Sequence, residues 1–224
     1  LMDKDVSLAE IRNVSYVDLL GREEVKLDMN SIEKMMRGKR VLITGAGGSI
    51  GSELVRQCLN FNPSEIICID NSEEKIFNLE QELLSKNRST ILKYHLCTIN
   101  SLKELNKPFL ETQPQIVFHA AAYKHVPIQE NHPWAAVKTN IGGTLNVVKL
   151  SNDYNVNLFV LVSTDKAVNP VNVMGATKRV AEKVIQSFNN ESKTCFMAVR
   201  FGNVLGSSGS AIPIFEKQIK EGGP

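Results

Sequence analysis

The sequence predicts an α/β protein, a doubly wound parallel sheet of the Rossmann type. Three observations predict it. Short apolar runs recur along the chain, amphipathic stretches of helical period separate them, and a glycine-rich turn follows the first strong run. Continuous apolar runs suit strands buried on both faces, and strands alternating with helices build a parallel sheet covered on both sides.

The elements follow in order. Residues 1–38 scatter Leu19, Leu20, Val25, Leu27, Ile32 and Met35 through charged sequence and read as an N-terminal linker. Within it D-M-N-S-I-E-K-M-M-R predicts a short helix, capped by Asn30 or Ser31 with Glu33 in its first turn, and Gly38 ends it. Residues 39–224 read as one dinucleotide-binding domain. Its strands are expected at 40–44, 66–70, 115–119, 158–162 and 196–199, with a weaker one at 91–96. Helices are expected at 49–60, 73–85, 102–110, 134–154 and 174–190.

Composition narrows the function. The chain has 224 residues, 42% hydrophobic and 22% charged, an ordinary globular balance that excludes disordered and collagen-like classes. Its formal charge is +2, so nothing electrostatic points to nucleic acid. No apolar run approaches the roughly 20 residues that span a bilayer. The start L-M-D-K-D-V lacks a signal peptide's basic and apolar regions. A first residue other than Met suggests a piece of a longer chain, with any membrane tether upstream. Cys58, Cys68, Cys97 and Cys195 form no C-x-x-C pair and have no His at zinc spacing. They read as small buried thiols of a reducing cytoplasm, and no metal is expected.

The first strand runs into T-G-A-G-G-S-I-G. Gly45 permits a tight turn, Gly48 lets backbone approach a pyrophosphate, and Gly51 lets the helix pack on the strand. Helix N–H groups and the positive dipole end would then hold the anion. Asp70 ends the next strand roughly 20 residues on, where an acid accepts the ribose hydroxyls. It would repel a 2′-phosphate, so NAD is expected over NADP. The plainer reading is a glycine turn with a capping aspartate.

The G-x-x-G-x-x-G spacing resembles the extended short-chain dehydrogenase/reductase superfamily. Four longer motifs narrow it: H-A-A-A-Y-K-H-V-P from His119, K-T-N-I-G-G-T from Lys138, S-T-D-K-A-V-N-P-V-N-V-M-G-A-T-K-R from Ser163 and R-F-G-N-V-L-G-S-S-G-S from Arg200. These resemble the CapD-like nucleotide-sugar 4,6-dehydratases of bacterial polysaccharide biosynthesis. D-L-L-G-R from Asp18 is similar to the segment joining their membrane part to the catalytic domain. The resemblance covers about residues 11–224.

It implies NAD-dependent 4,6-dehydration of UDP-N-acetylglucosamine to a 4-keto-6-deoxy sugar. It implies cofactor contacts from Gly45, Gly47, Gly48, Ser49, Ile50, Gly51, Asp70, Ala120, Ala121, Ala122 and Lys178. Asp165 would protonate the departing 6-hydroxyl and Lys166 remove the C5 proton. Thr164 would hold the 4-hydroxyl, and Lys178 the nicotinamide ribose. Lys124, His125, Arg200 and Asn203 would meet the sugar nucleotide. A homo-oligomer is implied, cytoplasmic and, for the longer protein, at the inner face of the membrane.

Three departures accompany it. Met174 stands where the wider superfamily has a Tyr four residues before Lys178; a thioether is no base, so the acceptor of the 4-hydroxyl proton stays unassigned. Within this dehydratase subgroup the Met is itself part of the pattern. L-C-T-I-N at 96–100 lacks the acids that relatives carry around Thr98 and Asn100, which implies weaker cofactor binding. The chain also ends before the small domain that closes over the substrate in relatives, so it is expected to bind NAD but turn over poorly.

Plainer alternatives stand beside each assignment. Asp165 and Lys166 also read as a solvated surface pair, and Lys178 as a helix-surface lysine. His119 reads as a satisfied buried histidine, Asn140 as a backbone organiser, and Trp134 as core or interface. At the level of function, a nucleotide-sugar 4-epimerase and a non-catalytic NAD-binding sensor or scaffold remain open.

Overall fold

The computed structural model describes residues 27–84, 89–204, 215, 218–219 and 221–223. The expected motif segments at 18–22 and 205–210, and the helix end at 85, lie outside the described residues. Met29–Gly202 forms one compact unit. It opens with helix α1 (Met29–Met36), the short helix expected within the N-terminal segment. Met36 anchors it, 2% exposed among the core residues of the first strand and its neighbours.

The sequence-predicted fold class holds. Six parallel strands lie in the order β3-β2-β1-β4-β5-β6. They are β1 (Arg40–Thr44), β2 (Glu65–Asp70), β3 (Ile91–Leu96), β4 (Ile116–His119), β5 (Leu158–Thr164) and β6 (Cys195–Phe201). Helices α2 (Ser49–Leu59), α3 (Glu73–Leu84) and α4 (Leu102–Thr112) connect the first four strands. Alternate residues of one strand feed opposite faces: Val41 and Ile43 join Val55, Leu79 and Leu83 on one side. Leu42 joins Leu105, Phe109 and Phe159 on the other. That two-sided burial is why the strands read as unbroken apolar runs.

After β4 come α5 (Val126–Asn131), α6 (Pro133–Ala136), a π-helical segment Val137–Gly143 and α7 (Thr144–Asp153). The single helix expected over 134–154 is therefore continuous in path, with its middle ladder widened to π. A 3-10 turn, Asp165–Ala167, follows β5, and α8 (Val173–Phe188) leads to β6.

Strand order reverses between β1 and β4, because the chain goes outward to β3 and then returns beside β1. Such a switch point opens a crevice at the carboxyl ends of the strands, where ligands bind in this architecture. No helix among the described residues is long and apolar enough to cross a membrane. Among the same residues, no group of His, Cys, Asp and Glu is placed to hold a metal ion.

Two placements narrow or correct the sequence reading. Of the two readings of Trp134, core or interface, its 82% exposure excludes core and leaves interface standing. Cys58 and Cys68 are buried, and burial pushes the Cys58 thiol up to about 12 and Cys97 up to about 11. Cys195, expected buried as well, is exposed because β6 is the sheet edge.

Candidate functional site

The switch-point crevice is built on the glycine loop. Gly45 has φ 67°, a left-handed turn that glycine adopts freely. A Cβ there would lie 2.8 Å from the nitrogen and Cα of Ala121, so the loop after β4 rests directly on it. A Cβ on Gly51 would collide with the Gly45 carbonyl oxygen. Helix α2 starts after Gly48, which brings no side chain to cap it. Gly48 at the cap position thus puts no side chain of its own between an anion and the first-turn N–H groups.

Gly45, Gly48, Asp70, Ala120, Ala121 and Ala122 line this crevice. So do Lys75, Asn100, Tyr123 and Thr139, which the sequence reading did not assign. Asp70 combines the two readings made of it. Its Oδ2 accepts the Gly47 N–H at 3.0 Å and its Oδ1 the Ser72 N–H at 3.0 Å, so it caps the turn while facing the crevice. Each carboxylate oxygen keeps a further acceptor site for a ribose hydroxyl.

Asn100 Nδ2 donates to Thr139 Oγ1 at 3.2 Å, whereas its Oδ1 is buried without a partner. An orphaned acceptor at the crevice wall suits a ligand amino group. A bare helix start, a collapsed glycine turn, an acid on the ribose side and this acceptor together fit a dinucleotide.

Replacing Gly51 with alanine is expected to lower stability by about 1–3 kcal/mol, because the methyl meets backbone that cannot move aside. Thermal melts with and without dinucleotide check this, and an unchanged midpoint would contradict the packing described.

The second half of the site lies at the carboxyl ends of β5 and β6. Thr164 caps the 3-10 turn, and its hydroxyl donates to Asp165 Oδ1 at 2.9 Å. Lys166 Nζ donates to the same oxygen at 3.1 Å. Asp165 is exposed and Lys166 half-buried, their side chains 55% and 36% exposed, which resembles the solvated-pair arrangement. The Thr164 bond and then the Lys166 bond hold the Asp165 carboxyl below the usual carboxylate range. A Cβ on Gly202 would lie 3.5 Å from Asp165 Oδ2, so the end of β6 borders the cluster. A Cβ on Gly175 would strike the Lys166 carbonyl oxygen, so α8 presses on the turn that carries Lys166.

On α8, Met174 and Lys178 stand one turn apart, 5% and 6% exposed. Lys178 is therefore no surface lysine. Burial pulls its ammonium down to about 8, against the opposing pull of Glu182. Glu182 itself is 1% exposed and gathers three partners. Ser163 Oγ donates to it at 2.6 Å, Arg200 Nε and Nη2 donate at 2.8 and 2.6 Å, and Arg179 Nη1 at 3.2 Å. Arg200, expected to meet the sugar nucleotide, is gripped bidentately by Glu182 and ties β6 to α8, with its side chain 38% exposed. Lys124 is exposed in the loop after β4, and exposed His125 precedes α5 at its N-cap position without a side-chain capping bond. Asn203 is exposed and belongs to the other unit, outside Met29–Gly202.

A buried polar chain joins the two halves. Thr144 Oγ1 must donate to the Asn140 carbonyl at 2.7 Å, so it accepts from His119 Nε2 at 2.9 Å. His119 Nδ1 then accepts from Thr44 Oγ1 at 2.6 Å, and Thr44 Oγ1 accepts from the Ala121 N–H. The bonds fix one tautomer, and burial followed by the Lys178 charge holds His119 neutral, near 3. Asn140 accepts from the Tyr123 N–H at 2.8 Å and donates to the Tyr123 carbonyl and to Thr177 Oγ1. The readings of His119 as a satisfied buried histidine and of Asn140 as a backbone organiser are what the structure shows.

A switch-point crevice on a glycine loop, with a Thr-Asp-Lys turn and a buried lysine on the next helix, defines a Rossmann-type fold of the extended short-chain dehydrogenase/reductase kind. The chain belongs to the family described as "Polysaccharide biosynthesis protein", whose profile matches residues 41–224. It is 47% identical to the capsular polysaccharide biosynthesis protein CapD of Staphylococcus aureus, across 100% of this chain and 38% of that protein. It is 38% identical to the UDP-N-acetylglucosamine 4,6-dehydratase (inverting) of Campylobacter jejuni, across 84% of this chain and 56% of the relative. Among solved structures it resembles Pen from Bacillus thuringiensis, with TM-score 0.77 and 39% identity over 83% of this chain and 56% of that one. The chain thus spans little more than half, or less, of the proteins it matches.

Proposed function

We propose that the chain is the cofactor-binding part of an NAD-dependent nucleotide-sugar 4,6-dehydratase that acts on UDP-N-acetylglucosamine in polysaccharide biosynthesis. The observation that carries the proposal is the Thr164–Asp165–Lys166 cluster, which the 3-10 turn sets at the carboxyl end of β5. Family membership and the resemblance of its motifs support the same reading.

When bound, NAD supplies a hydride acceptor for sugar C4 and returns the hydride to C6. The residues do the rest. The loop from Gly45 to Gly51 holds the pyrophosphate, Asp70 the adenosine ribose and Lys178 the nicotinamide ribose. Ala120, Ala121 and Ala122 leave the crevice wall low enough for the cofactor to lie flat. Thr164 Oγ1 orients the sugar 4-hydroxyl, and Lys124 and His125 meet the nucleotide part at the rim.

The Lys166 ammonium first passes a proton to Asp165 along the bond between them, and the neutral amine that remains takes the C5 proton, which a C4 ketone makes acidic. Asp165 gives a proton to the departing 6-hydroxyl. As the structure stands, hydrogen bonds from Thr164 and Lys166 favour the ionised Asp165. Engagement of Thr164 by the 4-hydroxyl and of Lys166 by C5 removes both bonds together, which raises the carboxyl toward the acid form. Met174 packs against this site and moves no proton. A homo-oligomer and a tether to the inner face of the membrane belong to the same proposal for the longer protein.

The test is incubation of the longest form of the protein with NAD and UDP-N-acetylglucosamine, followed by mass spectrometry. Loss of one water from the sugar nucleotide is expected. An unchanged mass with an inverted C4 centre would make it an epimerase, and no product at all a sensor or scaffold.

A further inference from the structure

Lys178 and Glu182 stand one turn apart on α8, the spacing at which a lysine and a glutamate on one helix face ordinarily pair. Here they do not pair. Among the described residues Lys178 makes no hydrogen bond and no ion pair, although it is buried. A buried ammonium without a partner is costly, and a carboxylate of opposite charge lies only a turn away. That carboxylate is already full. An ionised carboxylate accepts at about four lone-pair sites. Ser163 Oγ and Arg200 Nε occupy Glu182 Oε1, and Arg200 Nη2 and Arg179 Nη1 occupy Oε2.

Arg200 is the donor that takes a site on each oxygen. Ser163 and Arg200 are partners in the parallel ladder of β5 and β6, so both side chains leave the sheet toward α8. The guanidinium fork then aims the carboxylate at the strands. The charge of Glu182 still reaches Lys178 and favours the ammonium, without a bond that would occupy it. The other titratable neighbour is His119 at the end of β4, which stays neutral. From the remaining elements on α8, the π segment presents uncharged Asn140 to Thr177, and α5 sends Glu130 to the Val173 N–H. The turn that carries Asp165 and Lys166 meets the helix at Gly175.

We propose that Arg200 is a positioning residue for Lys178: by filling Glu182 it stops that carboxylate from closing on the ammonium and leaves the lysine bare for the cofactor. This rests on reading Lys178 as the residue that holds the nicotinamide ribose. It gives Arg200 a role behind the ligand rather than in contact with it.

The experiment is calorimetric titration of NAD into the unmodified protein, Arg200→Met, Arg200→Lys, Glu182→Gln and the double variant Arg200→Met/Glu182→Gln, from pH about 6 to about 9. In the unmodified protein affinity should fall as the pH rises through about 8, where Lys178 loses its proton. Arg200→Met opens a site on each oxygen, so Glu182 closes on Lys178. NAD at the lowest pH should then weaken by roughly tenfold to a hundredfold, the range of a charged hydrogen bond that must be broken. The midpoint of its pH dependence should move up. Glu182→Gln should bind NAD at the lowest pH within about threefold of the unmodified protein, with the midpoint moved down because the amide carries no charge. Loosening of the junction between β5, β6 and α8 would move both midpoints the same way, so the opposite signs separate positioning from mere support. The double variant should recover the affinity that Arg200→Met loses, and Arg200→Lys, whose ammonium still engages Glu182, should recover part of it. Undiminished affinity in Arg200→Met, midpoints that move together, or a double variant no tighter than Arg200→Met would overturn the proposal. If thermal melts show that Arg200→Met does not fold, Arg200→Gln, which keeps a donor amide, is read by the same criteria. Unchanged NAD affinity in Lys178→Met would instead overturn the reading of Lys178 itself.

Discussion

Replacing Lys166 with alanine is expected to stop elimination while leaving oxidation at C4 possible. Loss of a general base typically costs about 10²–10⁴ in rate. The Lys166 ammonium is within hydrogen-bond reach of Asp165, and both project from one short turn at the end of β5. Removing the amine leaves Thr164 and the crevice intact, so the first half of the reaction retains its parts. Stopped-flow absorbance of reduced nicotinamide should then rise and persist. Exchange of the C5 proton in deuterated water should fall by the same factor as turnover. Asp165→Asn should also block elimination, because an amide cannot protonate the leaving hydroxyl. Normal exchange in Lys166→Ala would exclude Lys166 as the base and leave the Asp165–Lys166 pair as the solvated pair that the resting geometry resembles.

Replacing Glu182 with alanine is expected to cost about 3 kcal/mol of stability, the lower end of the range for breaking a buried ion pair. The lower end applies because the side chains of Arg179 and Arg200 are 35% and 38% exposed and can rehydrate, whereas Ser163 is buried and loses its acceptor. Burial pushes the Glu182 carboxyl up, but the bonds from Arg200, Ser163 and Arg179 outweigh it and bring the group down to about 2. A carboxyl lowered on folding contributes stability above its ordinary value near 4.5 and loses that contribution as the pH falls toward 2. Urea denaturation at a series of pH values should therefore show a decline between about 4.5 and 2 that is shallower in Glu182→Gln. Identical slopes in the two proteins would place the acid sensitivity elsewhere.

Much of the fold was legible because its strands are buried on both faces and carry their own boundaries. The runs at 40–44 and 91–96 coincide with β1 and β3. β5 and β6 run further than their apolar cores, since Ser163 pairs with Arg200 and Thr164 with Phe201 in the ladder. Those extra residues are polar or exposed because they lie at the ligand end, where hydrophobicity stops reporting the strand.

The candidate residues of the site could be named by type and order, but their surroundings could not. Nothing local marks Lys178 as buried, because a lysine in an amphipathic helix reads the same on either face. The partner of Arg200 lies on another element, at Glu182, and no spacing rule connects the two. Lys75 and Thr139 reach the crevice only through packing of helices against the loop.

The widened segment Val137–Gly143 has a consequence for the permitted length of the chain. A π turn holds one residue more than the α ladder needs, which makes it the footprint of an insertion. Consecutive residues there serve opposite walls: Thr139 bonds to Asn100, and Asn140 to Tyr123 and Thr177. Deleting one residue would return the ladder to regular α geometry and improve its hydrogen bonding. It would leave the flanking helices near their present register but take away one of the two side chains that serve the opposite walls. One wall would keep its partner and the other would lose it. Residue number in this helix is thus under functional rather than thermodynamic control, and shortening it to the more comfortable helix would uncouple the cofactor crevice from the helix that carries Lys178.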